Sequence, residues 1–244
     1  PLLTPINEYF LEPEFRTKSI LQSFIEQPNP ECGISHIGNE RDKRGGVSIY
    51  LPENLDASKP APLIMTLHGG TGHGSDMLWS WLREARSRGY IIISPTSQGD
   101  TWSMMGDDMD APFLSKYLEL AGQQFNIDPT RILLAGMSDG ATYALQTGLR
   151  SASPFTHIEA FSGVLDPLIS INGQIVHAKN RKIYLVHGTR DWMFPIDMAR
   201  MADTQLKAAG ADIIFREITD LSHNFARAEL PRLLDWFSPP GDAP

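Results

Sequence analysis

Residues 131–149, RILLAGMSDGATYALQTGL, decide how the rest of the chain is read. Residues 132–135 form a short apolar run suited to a buried strand, and residues 141–149 are mostly helix formers. Between them, Gly136-Met137-Ser138-Asp139-Gly140 has the G-x-S-x-G pattern, in which a serine sits at a strained strand-to-helix turn and small residues let backbones crowd together. That places Ser138 at the apex with its hydroxyl exposed. The helix starting behind it directs unpaired N–H groups and a positive dipole end at the same point, which favours an anion forming there. An ordinary glycine-rich turn has the same five-residue pattern, so the reading requires a base, an acid and a second anion donor elsewhere.

Working outward, residues 62–67 (PLIMTL) read as a strand buried on both faces, running into His68-Gly69-Gly70-Thr71-Gly72-His73-Gly74. A helix over 78–88 closed by Gly89 and a strand over 90–94 follow. Residues 96–110 form a long polar loop, and 111–125 an amphipathic helix joined to the central strand by a turn at 126–129. Beyond the centre come strands at 157–161, 182–187 and 212–218, with helices at 197–209 and 228–237. Upstream, strands at 33–37 and 47–51 make a hairpin at the sheet edge, joined by GNERDKRGG, whose charges are expected to be simply solvated. Alternating strands and helices imply an α/β fold, a mostly parallel sheet covered on both faces. The expected organisation is an extension over 1–32, one domain over 33–238 and a tail over 239–244. Residues 15–27 of the extension place Ile20, Leu21, Phe24 and Ile25 on one helical face, suited either to strapping this domain or to an interface in a homo-oligomer.

A length of 244 residues suits one α/β domain, and 41% hydrophobic with 20% charged residues excludes a disordered or fibrous class. A net charge of −8 disfavours nucleic acid and anionic lipid surfaces as partners. Cys32 is alone, so no intramolecular disulfide forms. No run approaches the roughly 18 apolar residues of a membrane span, and the N-terminus lacks the pattern of a signal peptide. Cytoplasmic residence is the expectation, with a removed leader left open because the chain starts at Pro1.

In open parallel sheets, sites form at the carboxyl ends of the strands. Asp191 follows the strand at 182–187, and His223 is the only imidazole after the strand at 212–218. Serine is a poor nucleophile near neutral pH, so His223 is the candidate base that takes its proton and returns it to the leaving group, the rate falling in acid as the imidazole protonates. Asp191 is the candidate that orients it; Asp220 and Asp166 are rivals, ranked lower because Asp191 follows the seventh strand. The backbone N–H of Asp139 and one from the loop after Leu67, assigned to Gly70, are the expected oxyanion donors. Trp102, with Met104 and Met105, either lines an acyl pocket or anchors its loop; Met137 and Trp192 flank the centre as substrate contacts. The 69–74 loop lacks the Lys-Ser/Thr ending of a phosphate loop, and His68 and His73 have no cluster of ligand partners, so no phosphate site, metal or cofactor is expected.

LHGG at 67–70, GMSDG at 136–140, HGTRDWMFP at 187–195 and LSHNF at 221–225 together resemble the α/β-hydrolase superfamily. Within it, residues 108–145 resemble the esterase branch of polyhydroxybutyrate depolymerase-like and feruloyl esterase-like proteins, near the phospholipase/carboxylesterases. The resemblance covers residues 45–238. It implies an eight-stranded sheet with an antiparallel second strand, Ser138, Asp191 and His223 as nucleophile, acid and base, and Gly70 with Asp139 as oxyanion donors. It implies hydrolysis of a small-molecule ester, with a thioesterase, a peptidase or a non-catalytic binding protein as alternatives. Residues 162–182 are too short for a large cap, which implies an open site. Secreted polymer-degrading members often have paired cysteines, which this chain lacks.

Overall fold

In a computed structural model the described residues are 32–238, and the helix expected over 15–27 and the tail at 239–244 lie outside them. Eight strands form one sheet: β1 (Gly33–Ile37), β2 (Val47–Leu51), β3 (Ala61–Leu67), β4 (Ile91–Pro95), β5 (Ile127–Met137), β6 (His157–Phe161), β7 (Lys182–Gly188) and β8 (Asp212–Ile218). Their order across the sheet is β1-β2-β4-β3-β5-β6-β7-β8. β2 runs antiparallel to both neighbours, and the pairs from β4 to β8 are parallel.

Six α-helices among the described residues pack against the sheet or cap its rim: α1 (Gly74–Arg88), α2 (Ala111–Gln124), α3 (Asp139–Gly148), α4 (Pro167–Ile171), α5 (Ile196–Ala208) and α6 (Leu230–Phe237). Alternation along the strands divides the core in two. Ile64, Ile92 and Leu133 face α1 and α6, in one cluster with Trp81, Leu233 and Phe237, while Leu63, Ile93 and Leu134 face α2 to α5. β3 and β4 are buried at every position, as strands covered on both faces must be. Between β6 and β7 there are only α4 and a short 3-10 turn at Gln174–Ala178, so the β6–β7 connection contributes no large cap over the rim.

Among the strand boundaries, one expectation fails. The turn expected over residues 126–129 does not form as such, because β5 begins at Ile127, where Ile127 pairs with Ala61 before a register shift leads to the pairing of Ile132 with Leu63. Asp128 supplies the turn chemistry through its side chain, accepting from the Thr130 N–H at 2.8 Å, so the strand is irregular there without ending.

β6 carries a buried acid that the alternating pattern does not anticipate. Glu159 is fully buried; its Oε2 accepts from the Gly136 N–H at 3.2 Å, and Oε1 has no hydrogen-bond partner among the described residues. Burial pushes this carboxyl well above the ordinary range and so favours its neutral form. A raised folded-state pKa means that stability is fully present in acid and is lost as pH rises past the unfolded-state value. Glu159→Gln, neutral at every pH, is therefore expected to raise Tm at pH 7 by roughly 2–4 °C, the shift that about 1 kcal/mol produces in a domain of this size. The gain should vanish as the pH is lowered to the ordinary carboxylate range. Thermal melts across a pH series check this, and a lower Tm for the variant at pH 7 would refute it.

Candidate active site

Ser138 lies between β5 and α3 with φ 55° and ψ −120°, a positive-φ conformation that few non-glycine residues adopt. The strain persists because the neighbours leave no alternative. A Cβ on Gly136 would stand 2.3 Å from the Gly140 carbonyl oxygen, and one on Gly140 would stand 2.4 Å from that of His68. The Ser138 N–H is bound to the Phe161 carbonyl at 2.9 Å. Both motif glycines are thus required by backbone contact, and the elbow is pressed against the end of β3.

The loops after β7 and β8 are joined in the same way. Gly188 packs where a Cβ would meet the Leu221 carbonyl at 2.2 Å, while the Thr189 and Arg190 N–H groups donate to Ile218 and Leu221 at 3.0 Å each. This brings Asp191 and His223 together. His223 Nδ1 is 2.8 Å from Asp191 Oδ2, and its Nε2 is 3.0 Å from Ser138 Oγ. Asp191 Oδ1 accepts the N–H groups of Met193 at 3.0 Å and Phe194 at 2.8 Å. Burial opposes ionisation of Asp191, but those amides and the imidazole outweigh it and hold the carboxyl below its usual value. The acid stays ionised and faces a ring that is itself held in place by Phe194, whose ring centroid lies 5.4 Å away edge-on.

His187, at the end of β7, is a second imidazole beside Asp191 that sequence reasoning missed. It is 1% exposed; its Nε2 donates to the Phe194 carbonyl at 2.8 Å and lies 3.3 Å from Asp191 Oδ2. Its place inside the HGTRD run was the available signal. The rival acids have other tasks: Asp166 caps α4 by accepting from the Leu168 N–H, and Asp220 pairs with Arg190 in solvent.

Gly70 is exposed in the loop after β3, and its missing Cβ leaves room for Asp139 Oδ2, which would stand 2.7 Å from one. That carboxylate accepts from Thr101 Oγ1 at 2.6 Å. Asp139 is the first residue of α3, where a backbone N–H has no intrahelical acceptor. Met137 is half-buried at the elbow, and Trp192 is 74% exposed with its ring 6.4 Å from that of His223. Trp102 does not stand at the open surface. It is 2% exposed, stacks on Tyr143 at 5.5 Å and donates its indole N–H to the His68 carbonyl at 2.7 Å. Of the two roles considered for it, its position is that of the loop anchor, because an indole needs both apolar contact and an acceptor and finds both underneath the loop. His73 also has a defined structural role, accepting the Ser75 N–H at the start of α1. Among the described residues no three His, Cys, Asp or Glu side chains gather as a metal-ligand set, and no helix is long and apolar enough to cross a membrane.

The sheet order is that of the α/β-hydrolase fold, and the site brings a serine, an imidazole and a carboxylate together at the carboxyl ends of its strands. The chain belongs to the phospholipase/carboxylesterase family, whose profile matches residues 103–238, more than half of the 244. It is 27% identical over 164 residues to a bifunctional acetylxylan esterase/xylanase of Neocallimastix patriciarum, a match covering 65% of this chain and 23% of that protein. It is 26% identical over 113 residues to lysophospholipase-like protein 1 of Mus musculus, covering 45% of this chain and 47% of the relative. The chain thus spans less than half the length of either relative. Esterase 2 of Thermogutta terrifontis shares the fold with a TM-score of 0.66 at 17% identity, over 87% of this chain and 95% of that one. An S-formylglutathione hydrolase from Staphylococcus aureus does so with a TM-score of 0.66 at 16% identity, over 84% and 98%.

Proposed function

We propose that the protein is a serine carboxylesterase that hydrolyses small to medium acyl esters through an acyl-serine intermediate. The observation that carries this reading is His223 bridging Ser138 Oγ at 3.0 Å and Asp191 Oδ2 at 2.8 Å. Asp191 accepts a hydrogen bond from Nδ1–H, which keeps the imidazole proton on Nδ1 and leaves Nε2 unprotonated towards the hydroxyl. Ser138 Oγ attacks the acyl carbon while Nε2 takes its proton, and the carbonyl electron pair moves onto oxygen. The N–H groups of Asp139 and Gly70 are the assigned donors to that oxyanion. Collapse breaks the bond to the alcohol, which leaves with the proton held on Nε2. Water then gives a proton to Nε2 as it attacks the acyl-serine, and the acid departs as Ser138 recovers its hydrogen. These steps call on no cofactor.

Trp192 and Met193, 74% and 45% exposed beside His223, offer apolar surface to the acyl or alcohol group, together with Met137. Acetyl and longer acyl chains are both worth testing, because the relatives include an acetylxylan esterase and a lysophospholipase-like protein. A fluorophosphonate probe is expected to label Ser138, and p-nitrophenyl acetate, butyrate and octanoate to be hydrolysed. Failure of both labelling and hydrolysis would leave a binding protein on this scaffold. Faster turnover of acyl thioesters or peptide anilides would move the reading to a thioesterase or a peptidase.

A further inference from the structure

The charges of the GNERDKRGG loop between β1 and β2 are expected from sequence to be solvated, and one of them is not. Arg44 is half-buried and its guanidinium reaches into the two loops that follow β3 and β4. Nε donates to the Gly99 carbonyl at 2.8 Å, Nη1 to the Gly72 carbonyl at 2.7 Å, and Nη2 to Ser97 Oγ at 2.5 Å, with His68 Nε2 at 3.4 Å.

Around this fork, the backbone from His68 to Gly72 is held at almost every residue. Trp102 donates to the His68 carbonyl at 2.7 Å, and His68 Nδ1 lies 2.6 Å from the Gly69 carbonyl. The Thr71 N–H donates to the Asp100 carbonyl at 2.7 Å, and Arg44 holds Gly72. Thr71 sits at φ 56°, a conformation costing on the order of 1 kcal/mol or more that survives only where its surroundings enforce it. Gly70 is the exposed residue at the middle of this fixed segment.

We propose that Arg44 is a positioning residue for the oxyanion site, bracing the 69–72 loop against the 97–101 loop and so fixing the direction of the Gly70 N–H. The inference rests on the esterase reading above, in which Gly70 supplies an oxyanion donor. Arg44 is suited to the task because its planar fork offers several fixed donors, which meet two carbonyls and a hydroxyl here; lysine has one mobile ammonium and cannot hold all three. The brace continues to the nucleophile, since the 97–101 loop ends at Thr101, whose hydroxyl binds Asp139. His68 completes it as a neutral ring. Its Nε2 accepts the Ser97 N–H at 3.0 Å, and burial, with the Arg44 charge adding, lowers its pKa to about 4.

A group that positions the oxyanion donor affects the transition state and not ground-state binding. Losing one donor outright costs about 10²–10³ in kcat, and displacing one costs somewhat less. Arg44→Ala is therefore expected to lower kcat for p-nitrophenyl butyrate about 10- to 100-fold, with KM changed less than about twofold. An aliphatic trifluoromethyl ketone, which adds Ser138 Oγ and presents an oxyanion, should lose affinity by a similar factor. Arg44→Lys should recover part of the loss, and the milder Ser97→Ala, which removes one acceptor, should show a smaller fall of the same kind even if Arg44→Ala folds poorly. Unchanged kcat and ketone affinity in folded Arg44→Lys and Ser97→Ala, with only Tm lowered, would overturn the inference, as would a rise in KM alone. A wild-type protein inert to both ester and ketone would instead overturn the esterase reading, and this inference with it.

Discussion

Ser138→Ala is expected to fold as the parent does and to hydrolyse p-nitrophenyl butyrate at least about 10⁴-fold more slowly, the scale on which isolated serine nucleophiles are lost. Only Oγ is removed. The φ of 55°, the Phe161 bond to the Ser138 N–H and the contacts of Gly136 and Gly140 do not involve the hydroxyl, so Tm should move little. Alanine at this position also retains the oxyanion donors. A small residual rate above water is therefore consistent with the mechanism, whereas a variant keeping a tenth of the parental kcat would exclude Ser138 as nucleophile. Steady-state kinetics paired with a thermal melt separate lost chemistry from lost fold.

Asp191→Asn is expected to reduce kcat by about 10⁴-fold, nearly as much, for a different reason. The carboxamide introduced by this substitution can offer its own N–H to His223 Nδ1, which forces the imidazole proton onto Nε2, where a base must be empty. The amides of Met193 and Phe194, which now help to hold the carboxylate ionised, would face a neutral carbonyl oxygen at unchanged distance. Its depressed folded-state pKa also makes Asp191 a source of stability above the ordinary carboxylate range, lost as the pH falls through the folded-state value. The variant should accordingly be less stable than the parent near neutral pH, with the difference shrinking in strong acid. Asp220→Asn is the control: Asp220 is exposed and paired with Arg190, and its loss should change kcat by less than about twofold. If Asp220→Asn were the inactive variant, the acid would be misassigned.

Much of the sheet was legible because its strands are short, apolar and punctuated by glycine and proline. β1, β2, β6 and β8 fall at the expected residues, and β3, β4 and β7 differ from expectation by one residue at one or both ends. The G-x-S-x-G pattern was legible for the same local reason: a turn this tight demands glycine where backbones touch, and Gly136 and Gly140 touch backbone. The start of β5 was not, because Pro129 and Asp128 are turn residues by local preference, while pairing with Ala61 keeps the chain extended.

The class of fold, the serine at its elbow, the candidate imidazole after β8 and a short set of candidate acids at neighbouring strand ends were legible in the sequence. Those follow from local composition and periodicity, which neighbouring residues encode. The tertiary structure alone decided which carboxylate faces His223, that His187 stands beside Asp191, that Trp102 lies under its loop, and that Arg44 crosses from an edge hairpin to brace Gly72. Each of these is a contact of a side chain with another side chain or with backbone that is made only when the sheet and its loops form, and a long polar side chain in a loop carries no periodicity that announces where its far end will rest.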